Sequence, residues 1–276
     1  MRQVFRVDLP SLLQQLPHDL RDVQGVVLVV GATGCTGRHV VEAATARGLT
    51  PVALARSESR ARKALPPGTE IVVGDLTAPD TLTKAVSDID AVVFVHGSDD
   101  DSRPESFERI DYGGVANVLG VLGKRWPRIV LQTTIFVTRR DHYFNDGGHA
   151  LDWKRRSERL VRLSGAPYTI VRPGWLDAGQ GGSHLRIEQG DTGEDGISRE
   201  ALGTLLVEVL LDDTALGKTF EVFSGPGRAT KDFTALFAEA QPDASGALDA
   251  VKDTANLPLD AEPAQVKDDL AHLRTH

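Results

Sequence analysis

Cysteine is almost absent from this sequence: Cys35 is the only one in 276 residues. An intrachain disulfide is therefore excluded, and so is a metal site built on cysteines. No apolar run approaches the roughly 18 residues of a membrane span. The opening stretch, Met1-Arg-Gln-Val-Phe-Arg-Val-Asp8, lacks a continuous apolar signal core. Together these read as a cytoplasmic protein with no membrane association. Positive charge is not in excess either. Against 31 Lys and Arg stand 39 Asp and Glu, a net charge of −8, which argues against a general binder of nucleic acid or anionic membranes. There is no internal repeat. What remains is ordinary for a globular chain, with 41% apolar and 25% charged residues, long enough for one large α/β domain with a real core.

One stretch organises the rest. An aliphatic run over 26–30 is followed at once by Gly31, Gly34 and Gly37, and a helical pattern opens at Thr36. The valine-rich run predicts a buried parallel strand. The glycines let the backbone turn tightly and let a pyrophosphate approach the N–H groups of a helix start, where the partial positive charge suits an anion. A second strand about twenty residues on completes the context that such a loop requires.

From there strands and helices alternate. Helix is expected over 38–48, with Val40, Val41 and Ala44 inward, then a strand over 51–55 ending at Arg56. A strand over 71–73 ends in Gly74-Asp75-Leu76, a helix follows from Pro79 to about residue 87, and a strand over 91–95 ends in His96-Gly97. After the acidic loop 99–103 come a long helix over 106–124, a strand over 128–133, an exposed loop over 139–148, a helix over 151–164 and a strand over 168–171 ending in Arg172-Pro173-Gly174. Residues 177–197 read as loop with a short strand at 185–187. Ser198 opens a helix, 219–223 is a seventh strand, and 230–239 is a helix with Asp232 in its first turn. The Pro-, Asp- and Ala-rich stretch 241–263 reads as weakly structured, and 263–273 as a short amphipathic helix carrying Val266, Leu270 and Leu273. Before the first strand, Leu12, Leu13 and Leu16 mark a short helix that is either a surface arm or a dimer contact.

This alternation predicts an α/β fold: a Rossmann-type doubly wound parallel sheet of about seven strands, with right-handed crossovers. The division is an N-terminal arm (1–24), a nucleotide-binding domain (25–240) whose small substrate-binding portion spans about 175–240, and a C-terminal tail (241–276). The cofactor belongs at the carboxyl ends of the strands. There fall Gly31, Thr33, Gly34, Cys35, Thr36 and Gly37, then Arg38, Arg56, Asp75, Leu76, His96, Gly97, Thr133, Pro173 and Gly174. No acid follows the second strand until Glu58, and Arg56 and Arg38 can both offer forks to a phosphate. That favours NADP over NAD. Asp75 would accept from the adenine amino group, or shape an Asx turn ahead of Pro79; the two roles are compatible.

Four segments carry a family resemblance: Gly31-Ala-Thr-Gly-Cys-Thr-Gly37, Val73-Gly-Asp-Leu76, Asp111-Tyr-Gly-Gly-Val-Ala-Asn117 and Pro167-Tyr-Thr-Ile-Val-Arg-Pro-Gly174. Together they resemble the atypical short-chain dehydrogenase/reductases of the NmrA-like NAD(P)-binding group, over about residues 25–240. Trp153-Lys-Arg-Arg-Ser-Glu158 and Thr230-Lys-Asp-Phe-Thr-Ala-Leu-Phe237 are similar to a bacterial and plant subset of oxidoreductase-like members. The resemblance implies a Ser, and a Tyr four residues before a Lys, for proton chemistry beside the nicotinamide. The Ser position falls on Thr134 and the Lys on Lys154, which would also hold the nicotinamide ribose. The Tyr position is Ala150, and methyl cannot titrate.

Three readings follow. The chain is an NADP(H)-dependent oxidoreductase whose small planar acceptor, such as a quinone or flavin, needs no tyrosine. Or a loop residue substitutes, with His149 ahead of His142 and Tyr143. Or it is a non-catalytic NADP(H) sensor of NmrA type. A sugar-nucleotide epimerase is a weaker fourth reading. Trp153 and Trp175 are candidates for lining the nicotinamide or substrate pocket, against the usual core role of tryptophan. No metal is expected. The partners expected are a small-molecule substrate and either a second copy of the chain or a regulatory protein. The latter would use the 99–103 loop and the tail.

Overall fold

Runs of valine and alanine four to six residues long, punctuated by glycine and proline, become the strands of one sheet. The computed structural model describes residues 25–98, 103–176 and 184–274; the leucine arm, most of the acidic loop and residues 177–183 lie outside the described residues. In chain order the elements are β1 (Val26–Val30), α1 (Cys35–Ala46), β2 (Thr50–Ala55), α2 (Glu58–Ala64), β3 (Glu70–Val73), β4 (Ala91–Phe94), α3 (Gly113–Leu122), β5 (Arg128–Gln132), α4 (Ala150–Leu163) and β6 (Tyr168–Pro173). Then come β7 (Trp175–Leu176), β8 (His184–Glu188), β9 (Gly196–Ile197), α5 (Arg199–Leu211), β10 (Lys218–Gly225), α6 (Phe233–Ala238) and α7 (Ala264–Arg274).

The main sheet has eight strands in the order β3-β2-β1-β4-β5-β6-β10-β8. Every neighbouring pair is parallel except β10–β8 at one edge. The order reverses between β1 and β4, so the crevice for a ligand opens at the carboxyl ends of those two strands. Alternation sends successive side chains to opposite faces. Val29, Val93 and Val130 pack with Val40, Val41 and Leu206 of α1 and α5, while Leu28, Phe94 and Ile129 pack with Val115, Val118 and Leu160 of α3 and α4. α1 and α5 touch closely because Gly203 has no side chain; a Cβ there would lie 2.7 Å from that of His39. No described helix is long and apolar enough to cross a membrane.

Three sequence expectations need correction. The helix expected after Pro79 is a single 3₁₀ turn, Pro79–Thr81, followed by further turns. Thr81 competes for the backbone there: its hydroxyl accepts from the N–H of Asp75 at 2.9 Å and donates to the carbonyl of Ala78 at 2.7 Å. The long helix over 106–124 opens with a π-helical turn, Phe107–Tyr112, before α3. α6 begins only at Phe233, because the Asp232 carboxylate caps it by accepting from the N–H of Ala235 at 2.9 Å.

The largest departure is the C-terminal segment. Residues 241–263 do lack regular structure apart from the turn Leu259–Ala261, yet they are packed tightly onto α4. That helix reads Ala-Leu-Asp-Trp-Lys-Arg-Arg-Ser-Glu-Arg-Leu-Val-Arg-Leu, and Arg155, Arg156, Arg159 and Arg162 are all buried. Their partners come largely from the tail. Arg155 and Arg159 hold Asp249 at 3.0 and 2.8 Å, Arg156 and Arg159 both hold Glu262 at 2.6 Å, and Arg162 holds Asp243 at 3.2 Å. Arg172 of β6 is fully buried and binds Glu158 and Asp253 at 2.7 Å and Glu221 at 3.1 Å. These acids of the tail are therefore turned inward and do not form a surface for a partner. A buried charge that loses its partner is costly.

Two consequences can be measured. Arg159→Met should destabilise the protein by about 3 kcal/mol in urea unfolding, the low end for a broken buried pair. The reason is that Asp249 keeps Arg155 and Glu262 keeps Arg156. The second concerns pH. Burial alone would raise the Asp253 carboxyl, but the hydrogen bonds and charge of Arg172 win and bring it down to about 2. A depressed acid contributes stability above its ordinary value near 3.8 that is lost as pH falls toward 2. Glu221 goes the other way: burial outweighs Arg172 and raises it to about 7. A raised acid lowers stability progressively as pH rises from its ordinary 4.5 to 7. Glu221→Gln should therefore flatten the thermal stability profile between pH 4.5 and 7 and leave the acid limb in place.

Candidate cofactor cleft

The turn from β1 into α1 passes over the end of β4 at contact distance. Gly31 has φ +92°, and a Cβ on it would lie 2.8 Å from the backbone nitrogen of His96. A Cβ on Gly37 would lie 2.1 Å from the carbonyl oxygen of Gly31. Both glycines are thus required by close approach, at two of the three positions the sequence singles out. α1 starts with Gly34 as its N-cap, with no side-chain cap and no acid in its first turn. α5, by contrast, is capped by the Ser198 hydroxyl, which accepts from Ala201 at 3.2 Å. The N–H groups of Cys35, Thr36 and Gly37 are left to serve an oxyanion. Thr33, Gly34 and Cys35 form the exposed rim of this turn; the side chain of Thr36 is buried.

A cleft of about 500 Å³ opens beside it, walled by Gly31, Thr33 and Gly34, by Arg56, by Asp75 and Leu76, and by His96 and Gly97. That volume falls within the range of small-molecule and cofactor sites. Arg56 follows β2 directly and is exposed. Asp75 forms the expected Asx turn, its Oδ1 accepting from the N–H and hydroxyl of Thr77, each at 2.8 Å. Those bonds hold its carboxyl below the ordinary range, with Arg56 and Arg109 adding to the effect. Arg109 is a residue that sequence reasoning missed. It lines the cleft together with Arg56 and stands on the π-helical turn, which no feature of the local sequence marks. Arg38 does not line the cleft; its Nη2 lies 3.9 Å from the Cys35 sulfur.

His96 contributes a neutral ring. Burial pushes its pKa to about 4 against the pull of Asp111, so near neutral pH the ring carries one proton. Its Nε2 lies 3.0 Å from the carbonyl oxygen of Ile110 and donates to it, which leaves Nδ1 buried with no partner among the described residues.

The remaining candidates lie at the ends of β5 and β6 and on α4. Lys154 is not free. Its ammonium is paired with the buried carboxylate of Asp111. Asp111 also accepts from the N–H of Ser98 at 2.9 Å, and its carbonyl accepts from the Ser157 hydroxyl at 2.8 Å. The pair fits under Gly97, where a Cβ would lie 3.2 Å from both the Asp111 carboxylate and Lys154 Nζ. The structure thus brings Lys154 beneath Gly97, which lines the cleft, and pairs its charge with Asp111. Thr134 is half-buried just past β5, while the Thr133 hydroxyl donates into the buried ionic network, to Glu158 at 2.7 Å. Gly174 follows β6 so closely packed that a Cβ would lie 2.0 Å from the Asp195 carbonyl oxygen, and the Pro173 carbonyl accepts from Ile135 at 3.2 Å. Ala150 begins α4, and no described contact gives it a titrating substitute. His149 stands at the N-cap position of that helix in a left-handed conformation, φ +53°, and is exposed, while the N–H groups of Leu151 and Asp152 donate to Asn145 Oδ1. Trp153 takes the core role: it packs on Tyr112 at 5.5 Å and lies under the Arg156 guanidinium at 4.3 Å. Trp175 is exposed at the end of β6, edge-on to Phe136 and Phe144.

Comparison with known proteins agrees with this geometry. A profile of the NAD(P)H-binding family matches residues 31–213. Sanguinarine reductase of Eschscholzia californica is 31% identical over 77% of this chain and 95% of its own length. Among solved structures, a putative NAD-dependent epimerase/dehydratase from Bacillus halodurans superposes with a TM-score of 0.67 at 27% identity, covering 74% of this chain and 96% of that one. A short-chain dehydrogenase/reductase from Veillonella parvula in complex with NADP shares the fold at a TM-score of 0.59 and 17% identity, over 75% of this chain and 97% of its own. The sheet order, the glycine turn over β4 and these likenesses lead to one assignment: the chain belongs to the NAD(P)H-binding family and has the fold of the atypical short-chain dehydrogenase/reductases.

Proposed function

We propose that this protein is an NADP(H)-dependent oxidoreductase that delivers hydride to a small acceptor such as a quinone or flavin. The observation that carries the reading is the neutralised proton site. Ala150 stands where a tyrosine would donate, and Lys154, which would lower the pKa of such a tyrosine, has its charge cancelled by Asp111. An acceptor that needs a tightly placed acid is poorly served here. A quinone or flavin takes hydride into a conjugated system and draws its proton from water. Sanguinarine reductase, similar over most of this chain, is named as a reductase, and the reading accords with that.

The chain's own residues have definable tasks. The N–H groups at the start of α1, with the Gly31–Gly34 turn, would hold the pyrophosphate. Arg56 would grip a 2′-phosphate, which an acid at that place would repel; Arg38, outside the cleft, would join it only by turning away from Cys35. Asp75 and Leu76 would border the adenine. Lys154, Thr133, Pro173 and Gly174 would border the nicotinamide end, and Thr134 would orient the acceptor oxygen. His149 is the available side chain should a donor be needed. NADPH, when bound, supplies the hydride. A second reading, an NADP(H) sensor without turnover, draws on the same Lys154–Asp111 pair, since a sensor has no use for a free ammonium. An epimerase is disfavoured by Ala150, which cannot exchange a proton with a sugar hydroxyl.

NADPH consumption against a panel of quinones, flavins and small carbonyls decides between these. Turnover of quinones or flavins, abolished in Gly34→Glu and reduced in Lys154→Ala, is the expected result; tight NADPH binding with no turnover throughout would transfer the assignment to the sensor. Separately, Arg56→Glu should weaken NADPH about 10- to 100-fold, the worth of a charge-assisted bond, and leave NADH nearly unchanged. Equal weakening of both in calorimetric titration would remove the 2′-phosphate role.

A further inference from the structure

Beyond the cofactor cleft, at the same edge of the sheet, the structure gathers aromatic rings from three segments. Phe136 follows β5, His142, Tyr143 and Phe144 lie in the next loop, and Trp175 follows β6. His142 stacks on Phe136 with centroids 4.6 Å apart and 24° between planes. Phe144 lies 4.9 Å from His142 and 5.7 Å from Trp175, and Trp175 stands edge-on to Phe136 at 5.7 Å. Phe136 is buried, while Phe144 and Trp175 each remain 37% exposed. β5 and β6 lie one and two strands from β4, so the segments that carry these rings leave the sheet at the same edge as His96 and Gly97 of the cleft. An exposed aromatic face at the sheet edge where a cofactor cleft opens is suited to a ligand.

The face is held by a device whose cost needs a reason. Phe136 has φ +72°, a conformation that a bulky residue rarely adopts, and Asp191 has φ +59°. The two are joined by the buried Asp191 carboxylate. One oxygen accepts from the N–H of Phe136 at 2.5 Å; the other accepts from the N–H and hydroxyl of Thr138 at 3.0 and 2.8 Å. The Arg139 guanidinium then lies over the Phe136 ring at 4.5 Å and donates to the Asp191 carbonyl. The turn after β5 is thereby fixed with its ring facing His142 and Trp175.

We propose that the face formed by Phe136, His142, Phe144 and Trp175 is the acceptor site, shaped for a flat fused-ring hydride acceptor, and that Asp191 is its positioning residue. This rests on the oxidoreductase reading and narrows it: acceptors of two or three fused rings are preferred over single-ring ones. His142 adds a polar contact. Its Nδ1 accepts from the N–H of Phe144 at 3.3 Å, so Nε2 is the nitrogen that carries a proton for donation to a carbonyl of the acceptor.

The test separates this site from the cofactor reading by binding without turnover. Menadione, a two-ring quinone, is titrated into the full chain saturated with NADP⁺ while tryptophan fluorescence is followed, with duroquinone as the one-ring control. Saturable quenching by menadione, lost in Trp175→Phe and shifted about tenfold to weaker binding in Phe144→Ala, is expected, with weaker binding of duroquinone and NADPH affinity unchanged in both variants. Asp191→Asn keeps the shape of the side chain but sets an amide against the N–H of Thr138. It should raise KM for menadione much more than it lowers kcat, and should alter the near-UV circular dichroism of Trp175. Menadione bound equally by wild type and Phe144→Ala, or not bound at all by protein that binds NADPH, would overturn the proposal and leave the cofactor reading intact. Failure to bind NADPH would instead remove the reading it rests on. A dimer in light scattering that Phe144→Ala dissociates, with no quenching by menadione, would assign the face to contact between copies and overturn the proposal equally.

Discussion

Arg172 is the residue on which the second half of the molecule turns. It sits in β6, wholly buried, and binds carboxylates from three places: Glu158 on α4, Glu221 on β10 and Asp253 in the C-terminal segment. No other residue type supplies five donors in a fixed fork at one point. The sheet, the helix over it and the segment over that helix are thus tied through one guanidinium. Such a network is not a cheap source of stability, because taking the charges out of water consumes most of the Coulombic gain. Its effect is geometric. An apolar contact tolerates sliding, whereas a bidentate pair with each carboxylate committed admits one arrangement.

The same rule of matched charge governs the cofactor cleft, with one deliberate imbalance. Lys154 is cancelled by Asp111, and His96 is kept neutral by burial. At the end proposed for adenosine, Arg56, Arg109 and Asp75 all line the cleft. On the proposed function, the cleft carries one cation in excess where a phosphate would enter, and a matched ion pair beneath the place where hydride would pass. A neutral hydride end suits an acceptor whose charge is spread over fused rings, since no fixed charge there favours a localised alkoxide.

Local signals in the sequence were enough for the first half of the fold. The valine runs, the glycines after β1 and the alternation of strand and helix are short-range patterns, and they place the sheet, the cleft and Gly31, Gly37, Arg56 and Asp75 where the structure has them. What escaped depends on partners distant in the chain. α4 carries four arginines in fourteen residues, a composition that reads as a solvated helix; only the acids of residues 243–262 convert it into a buried one. Asp- and Pro-rich composition reads as loose chain for the same reason, since its ordering free energy comes from arginines about ninety residues away. Arg109 escaped because a π-helical turn has no sequence signature; the sequence singles out Thr133 for the cofactor, and that its hydroxyl turns instead to Glu158 escaped because a threonine at a strand end gives no sign of which face its hydroxyl takes.

The C-terminal segment reaches the chemistry through α4. On a helix, residues three and four apart share a face, and Lys154 and Ser157 both touch Asp111 while Arg155, Arg159 and Arg162 turn to the tail. A rotation of α4 about its axis would exchange these faces, since each residue advances about 100°. The pairs with Asp249, Glu262 and Asp243 oppose such a rotation, and in doing so they hold Lys154 against Asp111 under Gly97. The family profile ends at residue 213, yet the orientation of a lysine inside it is set by acids thirty to fifty residues beyond. Relatives that share the glycine turn but lack those acids must fix this helix by other contacts, and the degree to which Lys154 is neutralised can differ among them for that reason alone.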